Sequence, residues 1–199
     1  MATMIKRLAL VLAAAVLAAI VAAPGGKAAL SCNGSLQPFA QFGDYNDYFA
    51  FSNNGFENGA IGWQLSQASV GAGNEPWLVS GGSSSLSIGP GGSAAGPKVC
   101  AALNAPSWRM FAHSNGANGP LKAQIVFYGL LGNVTGILNF TNFNPSEYAT
   151  WQPSADVPSG LALPLLTYSA QLRLTSTATS GTWQVDDVFV DPWASRNAG

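Results

Sequence analysis

Leu166-Thr167-Tyr168-Ser169-Ala170-Gln171-Leu172-Arg173-Leu174-Thr175 alternates with a period of two. Tyr168, Ala170, Leu172 and Leu174 share one face; Ser169, Gln171, Arg173 and Thr175 share the other. That pattern predicts a strand burying one side and wetting the other. Leu121–Tyr128 does the same, with Leu121, Ala123, Ile125 and Phe127 against Lys122, Gln124, Val126 and Tyr128. Trp183–Val190 sets Trp183, Val185 and Phe189 against Val188 and Val190. Between such segments lie turn clusters: Asn53-Asn54-Gly55, Gly71-Ala72-Gly73-Asn74, Gly89-Pro90-Gly91-Gly92 and Asn115 to Pro120. Short strands with frequent turn signals indicate an all-β chain. Weaker strands are expected at Tyr48–Ser52, Gly62–Val70, Trp77–Ser80, Ser85–Ile88, Trp108–His113 and Val134–Phe140. Asn142–Thr150 is expected to hold a helical turn, and Gly81–Gly96 a loop-rich crossing. About nine short antiparallel strands fit a two-sheet antiparallel β-sandwich of the jelly-roll kind.

The first residues have another character. Lys6 and Arg7 precede an unbroken Ala/Val/Leu/Ile run from Leu8 to Ala23, the pattern of a secretory signal peptide. Small residues favour a cut after Ala28. Cys32, preceded by Ala29-Leu30-Ser31, leaves lipidation as an alternative. The expected organisation is a leader over 1–28, an irregular N-terminal arm over 29–45, a β-sandwich over 46–193 and a tail over 194–199. Beyond the leader and Lys27, five basic residues (Lys98, Arg109, Lys122, Arg173, Arg196) stand against nine acidic ones, a net charge of −4. That balance excludes a nucleic-acid binder. The 21 aromatic residues (Phe 10, Trp 6, Tyr 5) exclude a disordered chain. No second membrane-spanning run follows the leader, and a monomer is expected. Export would expose Cys32 and Cys100 to an oxidising compartment, where a disulfide is the default expectation.

Asn54-Gly55-Phe56-Glu57-Asn58-Gly59 with Gly62-Trp63, and Trp183-Gln184-Val185-Asp186-Asp187-Val188-Phe189-Val190, resemble the first and last strands of galactose-binding-like jelly rolls. That is the fold of many carbohydrate-binding modules. Gly73-Asn74-Glu75-Pro76, Ser85-Leu86-Ser87, Pro106 to Phe111, Trp151-Gln152-Pro153-Ser154 and Trp183 to Pro192 make the chain similar to a family of secreted actinobacterial β-sandwich proteins. The second likeness implies one exported β-domain and no particular activity. The first implies a structural calcium held by Glu57 with Asp186 or Asp187, hard oxygen ligands of the kind calcium takes. Adjacent strand residues face opposite sides, so only one of the two aspartates is expected to point inward.

Sugar rings stack on aromatic faces while amides and carboxylates bond their hydroxyls. The expected ligand-binding residues are therefore Trp77 with Asn74 and Glu75, Trp108 with Arg109, Tyr128, and Trp151. Each aromatic also has a core reading, because aromatic side chains bury large area. Glu57, Glu75 and Glu147 supply carboxylates, but no spacing identifies a hydrolytic pair. His113 is the one histidine, and no Gly-x-Ser-x-Gly elbow surrounds a serine, so no catalytic residue is expected. Two readings remain: a secreted non-catalytic binder of a polysaccharide or cell-wall glycan, and a structural or protein-interaction domain of the cell envelope that binds no sugar.

Overall fold

The computed structural model describes residues 36–100, 107–158 and 167–191. Among these, eleven strands occur: β1 Phe49–Ala50, β2 Gln64–Ala72, β3 Ser84–Ala95, β4 Val99–Cys100, β5 Ser107–Asn115, β6 Leu121–Gly129, β7 Val134–Phe143, β8 Gln152–Pro153, β9 Val157–Pro158, β10 Thr167–Ser176 and β11 Thr182–Asp191. They form one antiparallel sheet in the order β7-β6-β10-β3-β11-β5-β8, with β2 on β3, β4 on β10, β1 on β11 and β9 on β5. The expected signal peptide over 1–28, the expected tail over 194–199 and Cys32 lie outside the described residues; Cys100 is buried in β4.

The sheet divides at β3. Ser93–Ala95 pair with β10, while Leu86–Ile88 pair with β11. Gly89-Pro90-Gly91-Gly92 lies between the halves, where proline removes a ladder donor and glycine permits the bend. Gly92 has no room for a side chain: a Cβ there would lie 2.4 Å from the Gln67 carbonyl oxygen of the neighbouring strand. The Gly81–Gly96 tract, expected as a loop, is therefore mostly a bent twelve-residue strand. Its low hydrophobicity hid it, because a glycine-rich bend carries no period-two signal.

The bend folds one sheet into two layers around a shared core. Leu86, Ile88 and Ala94 of β3 meet Met110 and Ala112 of β5, Ile125 and Phe127 of β6, Leu172 and Leu174 of β10, and Trp183 of β11. This is the two-layer antiparallel jelly roll. Trp183 also donates Nε1–H to the Gly119 carbonyl at 2.9 Å, which satisfies its one buried polar atom. A second cluster, Phe39, Tyr48, Phe111 and Phe189, fills the opposite side of β5 and β11. Here a short 3-10 turn, Ala40–Phe42, follows Phe39.

One weaker expectation fails: Trp77–Ser80 is a turn, not a strand. After a β7 that runs to Phe143, the chain turns through successive bonds from Glu147 N–H to the Asn144 carbonyl at 3.0 Å and from Tyr148 N–H to the Pro145 carbonyl at 3.3 Å. Tyr168 is exposed because the β10–β6 register shifts between Thr167 and Ser169.

The larger correction is in β11. Its pairing with β5 shifts between Asp186 and Phe189, and Asp187 has φ 48°. This bulge places one extra residue in the strand and reverses the parity of the faces beyond it. Trp183 and Val185 enter the main core, then Val188 and Val190 do; Phe189 turns to the second cluster. Asp186 and Asp187 are consequently both buried, each 1% exposed.

Candidate functional site

The bulge aims two carboxylates at a third. Glu75 is fully buried, and its carboxylate accepts the N–H groups of Trp77 and Val79, both at 2.5 Å. It thus holds the turn after Pro76 by its own backbone. The Glu75 N–H in turn bonds Asp186 Oδ2 at 3.2 Å, and Ser80 N–H bonds Asp187 Oδ2 at 2.9 Å. Burial, reinforced by the charge of Asp187, pushes the Asp186 carboxyl up to about 8. Burial pushes Asp187 up to about 6; the bonds from Ser80 oppose this, and the charge of Glu75 adds to it. Asp187 Oδ1 is buried without a hydrogen-bond partner. Gly55 approaches this atom so closely that a Cβ there would stand 2.7 Å from it.

Glu57 is elsewhere. Its Oε1 accepts the N–H groups of Ser83 and Ser84 at 2.9 and 2.7 Å, and Gly82 packs against its carboxyl. The structure does not converge Glu57 and the aspartates into the expected calcium set. Among the described residues, no group of three or more His, Cys, Asp or Glu side chains is placed to hold a metal ion. The two β11 carboxylates hold both ends of the Glu75–Ser80 turn through its backbone N–H groups.

The expected sugar-binding residues are dispersed. Trp108 is fully buried. Arg109 ion-pairs with Asp44 and donates Nε–H to the Ser154 carbonyl at 2.8 Å, with its guanidinium 4.6 Å from the Phe39 ring centre. Trp77 is half-buried against Phe42 and Phe111, with ring centres 4.8 and 5.3 Å away. Trp151 packs on His113 at 5.6 Å. His113 Nδ1 is 2.8 Å from Gln184 Oε1, so it too is held in place. Asn74 bonds the Glu75 carbonyl at 3.1 Å. Sequence reasoning could not separate these from exposed aromatics, since core and platform aromatics look alike along a chain.

Tyr128 is half-buried on β6. Its hydroxyl donates to Gln171 Oε1 at 2.7 Å, and the Lys98 ammonium sits 3.5 Å above its ring centre. Across β2, β3, β10 and β6 runs a groove of about 490 Å³, lined by Gln64, Ser66, Ser93, Gln124, Arg173 and Thr175 among others. The strand register explains the alignment. Gln64 faces Ala95, Ala95 faces Arg173, Arg173 faces Gln124 and Gln124 faces Asn139. One step away, Ser66, Ser93, Thr175, Lys122 and Asn142 form a parallel row. The intervening positions, Leu65, Ala94, Leu174 and Ala123, point into the core. Gln124 Nε2 also bonds Asn139 Oδ1 at 2.5 Å. Part of the signal for this groove, Gln124, Arg173 and Thr175, lay on the wet faces of the strongest strands.

No protein-family model matches the chain, and no curated protein matches it either. Solved structures do. The CBM22-1 xylan-binding domain from Paenibacillus barcinonensis Xyn10C superposes with a TM-score of 0.53 at 14% identity, over 75% of this chain and 97% of that one. The enzymatically active domain of tailspike protein 4 from bacteriophage CBA120 superposes with a TM-score of 0.51 at 17% identity, over 70% of this chain and 21% of that one. The chain therefore spans about a fifth of the tailspike domain. These likenesses show a shared fold, the β-sandwich jelly roll of carbohydrate-binding modules.

Proposed function

We propose that this protein is a secreted, non-catalytic glycan-binding module that takes its ligand on the outer face of β2, β3, β10, β6 and β7. The observation that carries this reading is the groove of about 490 Å³, walled by amide, hydroxyl and guanidinium groups in register across the sheet. Closely spaced donors and acceptors on a rigid sheet suit a polyhydroxylated chain. The xylan-binding neighbour shares the fold and lends support by analogy. Glycoside hydrolysis uses two facing carboxylates, and these five strands carry no Asp or Glu. The Leu8–Ala23 leader supports export, and no helix of the described residues is long and apolar enough to cross a membrane.

The test is affinity electrophoresis of the processed protein, purified from an exporting host, through gels containing soluble polysaccharides. Retardation by at least one glycan is expected, with Gln64→Ala/Gln124→Ala weakening it roughly tenfold, as loss of two hydrogen bonds implies. Folded protein that no glycan retards, or groove variants that bind undiminished, would overturn the reading.

One observation favours the alternative, a protein-interaction domain of the cell envelope. The β6–β7 hairpin exposes Leu131 (94%), Leu130 (65%) and Val134 (53%), an apolar tip of the kind that protein partners cover.

A further inference from the structure

We propose that the glycan this groove takes is anionic, carrying carboxylate or sulfate groups along its chain. The inference rests on the glycan-binding reading and goes beyond it by naming the chemistry of the ligand.

Charge is segregated sharply on this molecule. Four Lys and Arg residues lie among the described ones: Lys98, Arg109, Lys122 and Arg173. Arg109 is consumed by its ion pair with Asp44 under the Phe39 ring. The other three gather on the groove face. Arg173 lines the groove, Lys122 follows it diagonally at the Thr175 position, and Lys98 lies over Tyr128 on the same strand face. All nine acidic residues lie in the N-terminal arm, the loops and β11; none is on β2, β3, β6, β7 or β10. A chain that is acidic overall thus presents one face whose charged residues are all basic.

The cations are also available. Among the described residues the only ion pair is Arg109 with Asp44, so neither Arg173 nor Lys122 is tied to a carboxylate there. Arg173 stands between Gln64 and Gln124, amides that hold no opposing charge. Its guanidinium fork is the group that binds a carboxylate or sulfate through two parallel bonds. Diagonal neighbours on a sheet stand about 7–8 Å apart, so Arg173 and Lys122 can meet separate charges on one extended chain. The groove lining contains no aromatic side chain, and Tyr128 carries Lys98 over its ring. Stacking on neutral sugar faces therefore supplies little here, and charge-assisted hydrogen bonding supplies most.

The experiment compares matched polymers in affinity electrophoresis: polygalacturonate against its fully methyl-esterified form, and dextran sulfate against dextran, each at 50 and 500 mM NaCl. Retardation by a charged member and not by its neutral partner is expected, falling at high salt as exposed charges are screened. Polygalacturonate alone would identify carboxylate as the group, dextran sulfate alone sulfate. Arg173→Gln should weaken binding roughly 10- to 100-fold, the value of a charge-assisted bond, while Arg173→Lys should retain part of it. Circular dichroism of both variants checks that they fold. Equal retardation by charged and neutral partners would leave glycan binding standing and overturn the anionic inference. Retardation by no polymer, with xylan and galactan included, would overturn the glycan reading itself. Equal retention by double-stranded DNA would also overturn the inference, because the face would then be a general polyanion surface.

Discussion

Asp187→Asn should stabilise this protein at alkaline pH and leave it nearly unchanged at acid pH. Asp187 is 1% exposed, and its carboxyl is pushed up to about 6 by burial, with the Glu75 charge adding to the effect. In the unfolded chain it ionises near 4. Between those values the folded state holds a proton that the unfolded state has lost, so stability falls as pH rises through the window. A rise of about two units is worth about 3 kcal/mol once the group is ionised. Asp186, pushed up to about 8 by burial and by the Asp187 charge, extends the loss to higher pH. The two contributions share one interaction and do not add. Asparagine keeps the acceptor for Ser80 N–H, replaces the unpartnered Oδ1 with a donor toward the Glu75 carboxylate, and tolerates the positive φ at this bulge. The expected gain is about 1–3 kcal/mol at pH 8, which is roughly 2–12 °C in Tm for a domain of this size. Thermal unfolding followed by tryptophan fluorescence at pH 4.5, 6 and 8 reads it directly. A bound calcium would reverse every sign, because metal binding requires the ionised carboxylates and strengthens with pH. Stability that rises from pH 5 to pH 8 and drops on adding EDTA, with Asp187→Asn destabilising, would therefore refute the reasoning.

Other substitutions probe the elements that build this arrangement. Gly55→Ala should cost about 1–3 kcal/mol in urea denaturation, since its Cβ would stand 2.7 Å from Asp187 Oδ1 in a site with no slack. Phe39→Ala should cost about 3–5 kcal/mol, because that fully buried ring joins the N-terminal arm to Tyr48, Phe111 and Phe189. Burial alone would raise the Asp44 carboxyl, but its bonds from Tyr48, Asn46 and Arg109 outweigh that and hold it below its usual value. It therefore stabilises the fold above its unfolded-state value and loses that contribution as pH falls through the folded one. Asp44→Asn should cost about 1–3 kcal/mol at pH 7 and should flatten the acid limb of the stability curve.

The strong strands were legible because period-two alternation is local. Leu121, Ala123, Ile125 and Phe127 declare a buried face without reference to any other segment, and the structure buries all four. β3 was not legible, because Gly89-Pro90-Gly91-Gly92 has no alternation and its partners lie far along the chain. The groove fell between these cases. Gln124, Arg173 and Thr175 were visible on the wet faces of good strands, and the absence of acidic residues from those strands was a matter of counting. That Gln64, Arg173, Gln124 and Asn139 form one row depends on strand order, which the chain does not spell out. The burial of the aromatic candidates was not legible for a different reason: Trp108, fully buried, and Trp151, half-buried, carry the same chemistry whether packed or exposed.

The amino-acid sequence by itself determined an all-β chain, its strongest strands and the confinement of negative charge to a few segments. Each follows from local periodicity or composition. The tertiary structure alone decided which faces are inside. The bulge at Asp186–Phe189 reverses the parity of β11, and it sits where Val188 N–H bonds the Asn54 carbonyl at 3.1 Å, beside the glycine that Asp187 approaches. Residues more than a hundred positions apart thereby set which side chains Asp186, Asp187 and Glu75 meet. Such a contact is a property of packing, and packing is resolved only when every strand has its neighbours.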